Sequence, residues 1–448
     1  MNIAGKKVTV VGAKRSGVGA AKLITRLGGK AFVTDSASAK AVKEFTDTLQ
    51  ANKIAFETDG HSEKAFDCDL MVVSPGVPSN AEIIKTAESK KIMIVGELEL
   101  AASVCKGNII AITGTNGKTT TTSLCGHLFN VCGKKTYLAG NIGFAFSEIA
   151  HDVKEDEFVA LEVSSFQLDL IEKFKPKIAM ILNITPDHLN RYENKLENYV
   201  KSKLQIYKNQ DENDFLILNK DNDLLMNSIK KHKSKSYYFS LKETLNNGTY
   251  NSDEDIFFNE ESGLKFSCKV SDINLIGEHN IANAMAVITA AKIFGLDYQQ
   301  IIKGLRTFEG VEHRLEFVRE IEGVKYINDS KATNVDSVWY ALKGFPGQIF
   351  LILGGQDKGN DYNRIRPLVL EKVIKIYAIG SSADKVFNFF HKDIKVEVKQ
   401  TMEDVVHASN LEARPGDIVL LSPACASFDM YDNYEHRGRV FKEAVNKL

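Results

Sequence analysis

Glycine, threonine and lysine fall together at Gly114, Thr115, Asn116, Gly117, Lys118, Thr119 and Thr120. That combination can cradle a phosphate. Glycines let backbone N–H groups crowd an anion, and a following helix N-terminus adds partial positive charge. Lys118 can reach the outer phosphates of a triphosphate, and the Thr119 hydroxyl can ligate magnesium. Gly114 stands three residues before Gly117, where the GxxxxGK[ST] pattern wants five, so the spacing is not the common one. A glycine-rich turn that binds nothing is the competing reading. Downstream, Glu162 ends an apolar run, a position suited to holding magnesium or, alternatively, to capping the next helix. His188 sits among polar and charged residues, which disfavours a core role, although magnesium prefers oxygen to imidazole. By spacing alone Lys203 is a solvated lysine like Lys201 and Lys208. Asn280 and Asn283 lie one helical turn apart and could either face solvent or meet a base or ribose.

Positioning these groups requires strands that end in loops. Residues 108–112 read as a buried strand feeding the glycine loop and a helix; 158–161 and 178–182 deliver Glu162 and the His188 segment, and 138–142 delivers Asn141. Nearer the start, 7–11 leads into a glycine-containing loop with Ser16, 31–34 ends on Asp35, and 70–73 ends on Ser74, Pro75 and Gly76. This resembles a Rossmann start, but the glycines do not form GxGxxG, so dinucleotide binding stands as a weak reading beside another nucleotide or a structural turn. Beyond His313 and Arg314, strands at 324–328, 349–353 and 418–421 feed Asp329, Lys331 and Thr333, then Lys358, then Cys425 and Ser427. Polar clusters at three successive strand ends point to a binding crevice. Cys425 has no histidine near it in sequence and reads as a small buried thiol. Residues 229–262 lack strong periodicity and read as a variable surface region. The alternation of strands and helices predicts an α/β chain of three domains: Rossmann-like 1–98, a P-loop ATPase-like 99–310, and Rossmann-like 311–448.

A chain of 448 residues is too long for one core. Its formal charge of -1 and lack of a basic stripe argue against nucleic acid as a partner. The six cysteines show neither CxxC pairs nor zinc spacing, which fits a reduced compartment. No apolar run reaches the roughly 18 residues of a membrane span. A monomeric cytoplasmic protein without membrane insertion is expected.

The motifs GTNGKTTT (114–121), LEVSSFQL (161–168), NITPDHLNRY (183–192) and GEHNIANAMA (277–286) resemble those of the Mur ligase family, ATP-dependent amide-forming enzymes of peptidoglycan synthesis. The resemblance spans all three domains. NDSKATN (328–334), LGGQDKG (353–359) and LSPACASFDMY (421–431) resemble the branch that adds D-glutamate. The resemblance implies ATP and Mg2+ as cofactors, with UDP-N-acetylmuramoyl-L-alanine and D-glutamate as substrates. It implies that Lys118 contacts the transferred phosphoryl group. Thr119 and Glu162 would hold one magnesium and His188 a second, with a carbamylated Lys203 beside them, in place of the surface role that spacing suggests. It places Asn280, Asn283, His313, Arg314, Asp329 and Lys331 with the glycine loop around ATP. It assigns Ser16, Asp35, Ser74, Gly76 and Asn141 to the UDP substrate, and Lys331, Thr333, Lys358, Ser427 and Tyr434 to D-glutamate. The last position is more usually Phe in the family. A nicotinamide-dependent oxidoreductase would leave the phosphate loop and Glu162 unused, and a non-catalytic nucleotide-binding protein would bind ATP without turnover.

Overall fold

Runs rich in Val, Ile and Leu, buried on both faces, form the parallel strands of three sheets. The computed structural model describes residues 1–448. Clustering of contacts gives two units, Met1–Ile273 with Ala282–Thr307, and Asn274–Ile281 with Phe308–Leu448.

The first unit holds two sheets. The N-terminal one comprises β1 (Lys7–Val11), β2 (Lys30–Thr34), β3 (Ala55–Glu57), β4 (Leu70–Val73) and β5 (Met93–Gly96), all parallel, in the order β3-β2-β1-β4-β5. Alternate residues serve opposite faces: Leu70 and Val72 join Val8 and Val10 in one core, whereas Met71 and Val73 join Val11 in another. The central sheet comprises β6 (Asn108–Thr113), β7 (Thr136–Gly140), β8 (Phe158–Glu162), β9 (Ile178–Ile181), β10 (Phe215–Asn219), β11 (Lys235–Ser240), β12 (Gly248–Ser252), β13 (Asp255–Glu260) and β14 (Gly263–Lys269). Their order is β14-β13-β12-β11-β10-β9-β6-β8-β7.

Residues 229–262 are therefore not the irregular surface expected. They supply β11 to β13, and β12, β13 and β14 form an antiparallel meander that widens the sheet. Its half-solvated strands carry too short an alternating pattern to stand out among their lysines and asparagines. The strand expected at 138–142 begins and ends two residues earlier, because Gly140, at φ 100°, turns the chain there.

In the second unit β15 (Glu316–Ile321), β16 (Val324–Asn328), β17 (Ile349–Gly354), β18 (Val373–Ile379), β19 (Lys395–Val398) and β20 (Ile418–Leu421) lie in the order β15-β16-β20-β17-β18-β19, only β15 being antiparallel. Ile349, Leu351 and Leu353 face one core and Phe350 and Ile352 the other, so helices cover both faces.

Candidate active site

Gly114 and Gly117 make the loop after β6 possible: both have positive φ, at 159° and 85°, and Gly117 caps the helix Lys118–Val131 without a side-chain bond. A Cβ on Gly117 would stand 2.5 Å from Asn283 Oδ1, so the loop and Asn283 are in close apposition. The loop is pinned from one side. Thr115 N donates to Asn183 O at 3.0 Å and Asn116 N to Asn183 Oδ1 at 2.9 Å, while Asn183 Nδ2 returns a bond to Asn116 O at 3.0 Å. The Thr115 hydroxyl donates to Thr185 O at 3.0 Å and lies 3.2 Å from the Tyr199 hydroxyl. Lys118 Nζ folds back over the loop, donating to the carbonyls of Gly114 and Thr115, both at 2.8 Å.

Glu162 ends β8 in register with Ile112 of β6, beside the loop. Its Oε1 accepts from Asn141 Nδ2 at 2.8 Å, and its buried Oε2 has no hydrogen-bond partner. An oxygen so placed suits a cation ligand, since leaving it without one is costly. With the Thr119 hydroxyl, which is also buried, it forms the oxygen-donor chemistry that magnesium takes. Lys203 is 1% exposed, contrary to the solvated position that its spacing suggests. Its Nζ donates to Gly114 O at 2.8 Å and stands 4.7 Å from the Tyr199 ring centre. Burial, reinforced by the charge of Lys118, pushes the Lys203 amine well below the usual lysine range. His188 has a left-handed backbone (φ 52°) and a half-exposed ring that lies 5.3 Å from Phe166 and 3.6 Å from the Asp187 carboxylate.

In the N-terminal sheet the chain leaves β1 for β2 on one side and returns to β4 on the other. Such a switch point opens a crevice at the C-terminal strand ends. Gly12 and Ser74 face each other there, the Ser74 hydroxyl donating to Gly12 O at 3.4 Å. Ser16 occupies the first turn of the helix Arg15–Arg26, and Asp35 accepts from Ala13 N at 2.6 Å and Ala37 N at 2.8 Å. Gly76 lies in open space. Arg15 joins this loop to the turn holding Asn141, donating to Gly143 O at 2.8 Å and Gly140 O at 3.2 Å.

In the second unit, adjacency of β16, β20 and β17 sets their three C-terminal loops side by side. Lys331 N donates to His313 O at 3.0 Å, Lys331 Nζ stands 5.4 Å from the Tyr434 ring centre, and that ring meets His313 edge-on at 6.2 Å. Asp329 is buried against the Ser422 hydroxyl, which donates to it at 2.8 Å; burial pushes its carboxyl up to about 7 despite Arg314 nearby. Arg314 Nε is itself buried without a partner. Gln356 and Ala426 exchange two backbone bonds, at 2.8 and 3.2 Å, which draws the Lys358 and Ser427 loops together. Ser427 is buried, Thr333 half-buried and Lys358 exposed. Asn280, in the second unit, donates to Ile276 O at 2.8 Å, whereas Asn283 belongs to the first.

Residues 7–83 match the MurD N-terminal domain, 112–291 the Mur ligase middle domain and 313–425 the Mur ligase glutamate ligase domain. UDP-N-acetylmuramoylalanine--D-glutamate ligase of Koribacter versatilis is 43% identical over 100% of this chain and 99% of its own. The enzyme of the same name from Chloroherpeton thalassium is 42% identical over the same shares. The chain belongs to the Mur ligase family. Solved members share the fold at low identity. The UDP-N-acetylmuramate-alanine ligase of Thermotoga maritima has a TM-score of 0.64 at 19% identity and 99% coverage of both chains. The MurF ligase of the same organism, solved with ADP, has a TM-score of 0.61 at 16% identity, covering 93% of this chain and 95% of that one.

Three residues of this Mur ligase that position its site escaped the sequence reading. Asn183 and Tyr199 hold the phosphate loop. Asn183 follows a buried strand, a signal that could have found it, whereas Tyr199 reads as core. Arg437 is 1% exposed and donates to the carbonyls of Ser330, Cys425 and Ala426 at 2.8, 3.1 and 3.3 Å, and to the Ser330 hydroxyl at 3.0 Å. An arginine on an amphipathic helix gives no hint of such burial.

Proposed function

We infer that this Mur ligase joins D-glutamate to UDP-N-acetylmuramoyl-L-alanine at the expense of ATP in peptidoglycan precursor synthesis. The observation that carries the phosphoryl-transfer chemistry is the unbonded, buried Glu162 Oε2 beside a lysine-bearing phosphate loop. The amino-acid and sugar-nucleotide identities rest on full-length relatives bearing that name.

The substrate carboxylate must attack the terminal phosphoryl group of ATP, and two anions meet only where charge is neutralised. Lys118 supplies one charge. Its two bonds to loop carbonyls hold the ammonium over the cradle and are exchangeable for phosphate oxygens. Thr119, Glu162, His188 and Lys203 as a carbamate would hold magnesium, which when bound screens the phosphates. The lowered basicity of Lys203 supports this reading, because only a neutral amine adds carbon dioxide. Attack breaks the bond between the terminal phosphorus and the bridging oxygen, yielding an acyl phosphate and ADP. The amine of D-glutamate then adds to its carbonyl, and the tetrahedral adduct collapses to the amide with loss of phosphate. We assign Ser16, Asp35, Ser74, Gly76 and Asn141 to the UDP substrate, a reading supported by the β1/β4 crevice and the Arg15 link to the Asn141 turn. Asn280, Asn283, His313, Arg314, Asp329 and Lys331 are assigned to ATP. Lys331, Thr333, Lys358, Ser427 and Tyr434 are assigned to D-glutamate. We place the enzyme in the cytoplasm as a monomer; no helix is long and apolar enough to cross a membrane, and light scattering at one chain mass would support the oligomeric assignment.

Phosphate release from ATP with magnesium and UDP-N-acetylmuramoyl-L-alanine tests the function. Release should depend on D-glutamate and fail with L-glutamate, lysine, diaminopimelate or D-alanyl-D-alanine. Release with another amino acid would keep the ligase and overturn its specificity.

A further inference from the structure

The helix Leu196–Leu204 carries two adjacent stripes. Tyr199 and Lys203 turn inward, to the Thr115 hydroxyl at 3.2 Å and Gly114 O at 2.8 Å. Leu196, Val200 and Leu204, one turn apart in succession, form the stripe next to theirs on the same helix and line one side of a cleft of about 1310 Å³. Its far wall is built from the helix Asp223–Ser228 and the segment 229–233. The floor is apolar and the rim is cationic. Lys201, Lys230, Lys231 and Lys233 line the cleft, are exposed and form no ion pair with the protein. The other charges there are engaged elsewhere or outnumbered. Lys195 pairs with Glu193 at 3.0 Å, Asp211 with Lys175, and Lys208 donates to Ile171 O at 2.6 Å, which leaves Glu197 as the acid on the helix. Lysines from two stretches that look separate in sequence thus converge over one apolar floor. Four exposed ammonium groups along one cleft favour an anionic occupant. The volume suits a small organic molecule rather than a single ion.

We propose that this cleft is a binding site, distinct from the phosphate loop, for a small phosphate or diphosphate ester with an apolar body: the phosphates meet Lys201, Lys230, Lys231 and Lys233, and the body lies on Leu196, Val200 and Leu204. The occupant touches the helix that presents Lys203 and Tyr199 to the phosphate loop, along the stripe next to theirs. It therefore sits where it can bias the loop without entering it.

Geranyl diphosphate is the probe, titrated calorimetrically into the full chain with saturating ADP and magnesium, so that the phosphate loop is already filled. One equivalent should bind, with pyrophosphate and geraniol each at least roughly tenfold weaker, because each lacks half of the complementarity. Charge reversal at Lys230→Glu, Lys231→Glu and Lys233→Glu together should weaken binding at least roughly tenfold while leaving D-glutamate-dependent phosphate release intact. Leu196→Gln, at a half-buried position, serves as a second variant, making the floor polar with the rim charges unchanged. Absence of binding with ADP present, or binding unaltered by both variants, would overturn the site. Co-sedimentation with phosphatidylglycerol vesicles but not with phosphatidylcholine, without capture of the soluble probe, would also overturn it and assign the lysines to a membrane surface.

Discussion

At Lys203 a residue type common on surfaces is buried in surroundings that favour its neutral form. Desolvation and the neighbouring Lys118 charge favour the neutral amine, and the carbonyl of Gly114 orients it. Labelled bicarbonate should give a carbamate carbon resonance in the parent protein that is missing in Lys203→Arg, whose guanidinium stays protonated. A parent spectrum without that resonance would remove the carbamate from the site. Asp329 shows the opposite case, an acid whose proton is held more tightly in the folded chain because burial disfavours the anion. The folded carboxyl titrates near 7 and the unfolded one near 3.8, so this residue's contribution to stability is fully present below the unfolded value and is lost as pH rises through about 7. Asp329→Asn should therefore unfold at higher temperature than the parent at pH 8, by at most about 4 kcal/mol of stability, and no differently at pH 4. The Ser422 hydroxyl can turn to accept from the new amide. A parent more stable than the variant at pH 8 would mean that Arg314 stabilises the charged form more than burial opposes it.

Among the elements, the phosphate loop is a turn that sequence composition permits but neighbours hold in shape. Gly117 combines a left-handed backbone with a close approach to Asn283, so Gly117→Ala has both a backbone strain of about 1 kcal/mol and a steric clash to absorb. The variant should bind ATP at least roughly tenfold more weakly while its affinity for the UDP substrate is unchanged; equal loss of both would show that the strain spreads through the first unit. The helix Tyr434–Asn446 depends on Arg437 in a comparable way, because that guanidinium stitches the loops after β16 and β20 to it. Arg437→Met leaves the carbonyls of Ser330 and Cys425 without this donor and Ala426 O with only Gln356 N, and melting should report a loss of about 3 kcal/mol or more. Arg437→Lys, with fewer donors in a different geometry, should recover only part of it.

For the whole molecule, distribution of binding groups over separate sheets predicts separable functions. Lys118→Ala should abolish phosphate release while calorimetry finds UDP-N-acetylmuramoyl-L-alanine binding within about twofold of the parent, because the crevice after β1 and β4 does not use that lysine. The strands ending in functional loops were legible from the chain: β1, β4, β16 and β20 have the expected bounds, because buried parallel strands are continuous apolar runs cut off sharply by glycine, proline or polar residues. The same local signals placed a glycine turn and helix start at Gly114 to Thr119 and a strand end at Glu162. The meander of β12 to β14 was not legible, since its pairing partners rather than its own pattern make it a sheet. Burial of Lys203 and Arg437, the bonding of Asn183 to the loop, and the gathering of lysines 201 and 230–233 around one cleft were decided by tertiary structure alone. Sequence determines which groups are available and which strands deliver them, because those depend on neighbours along the chain. Solvation, charge environment and side-chain partners depend on residues tens of positions away, and only folding brings those together.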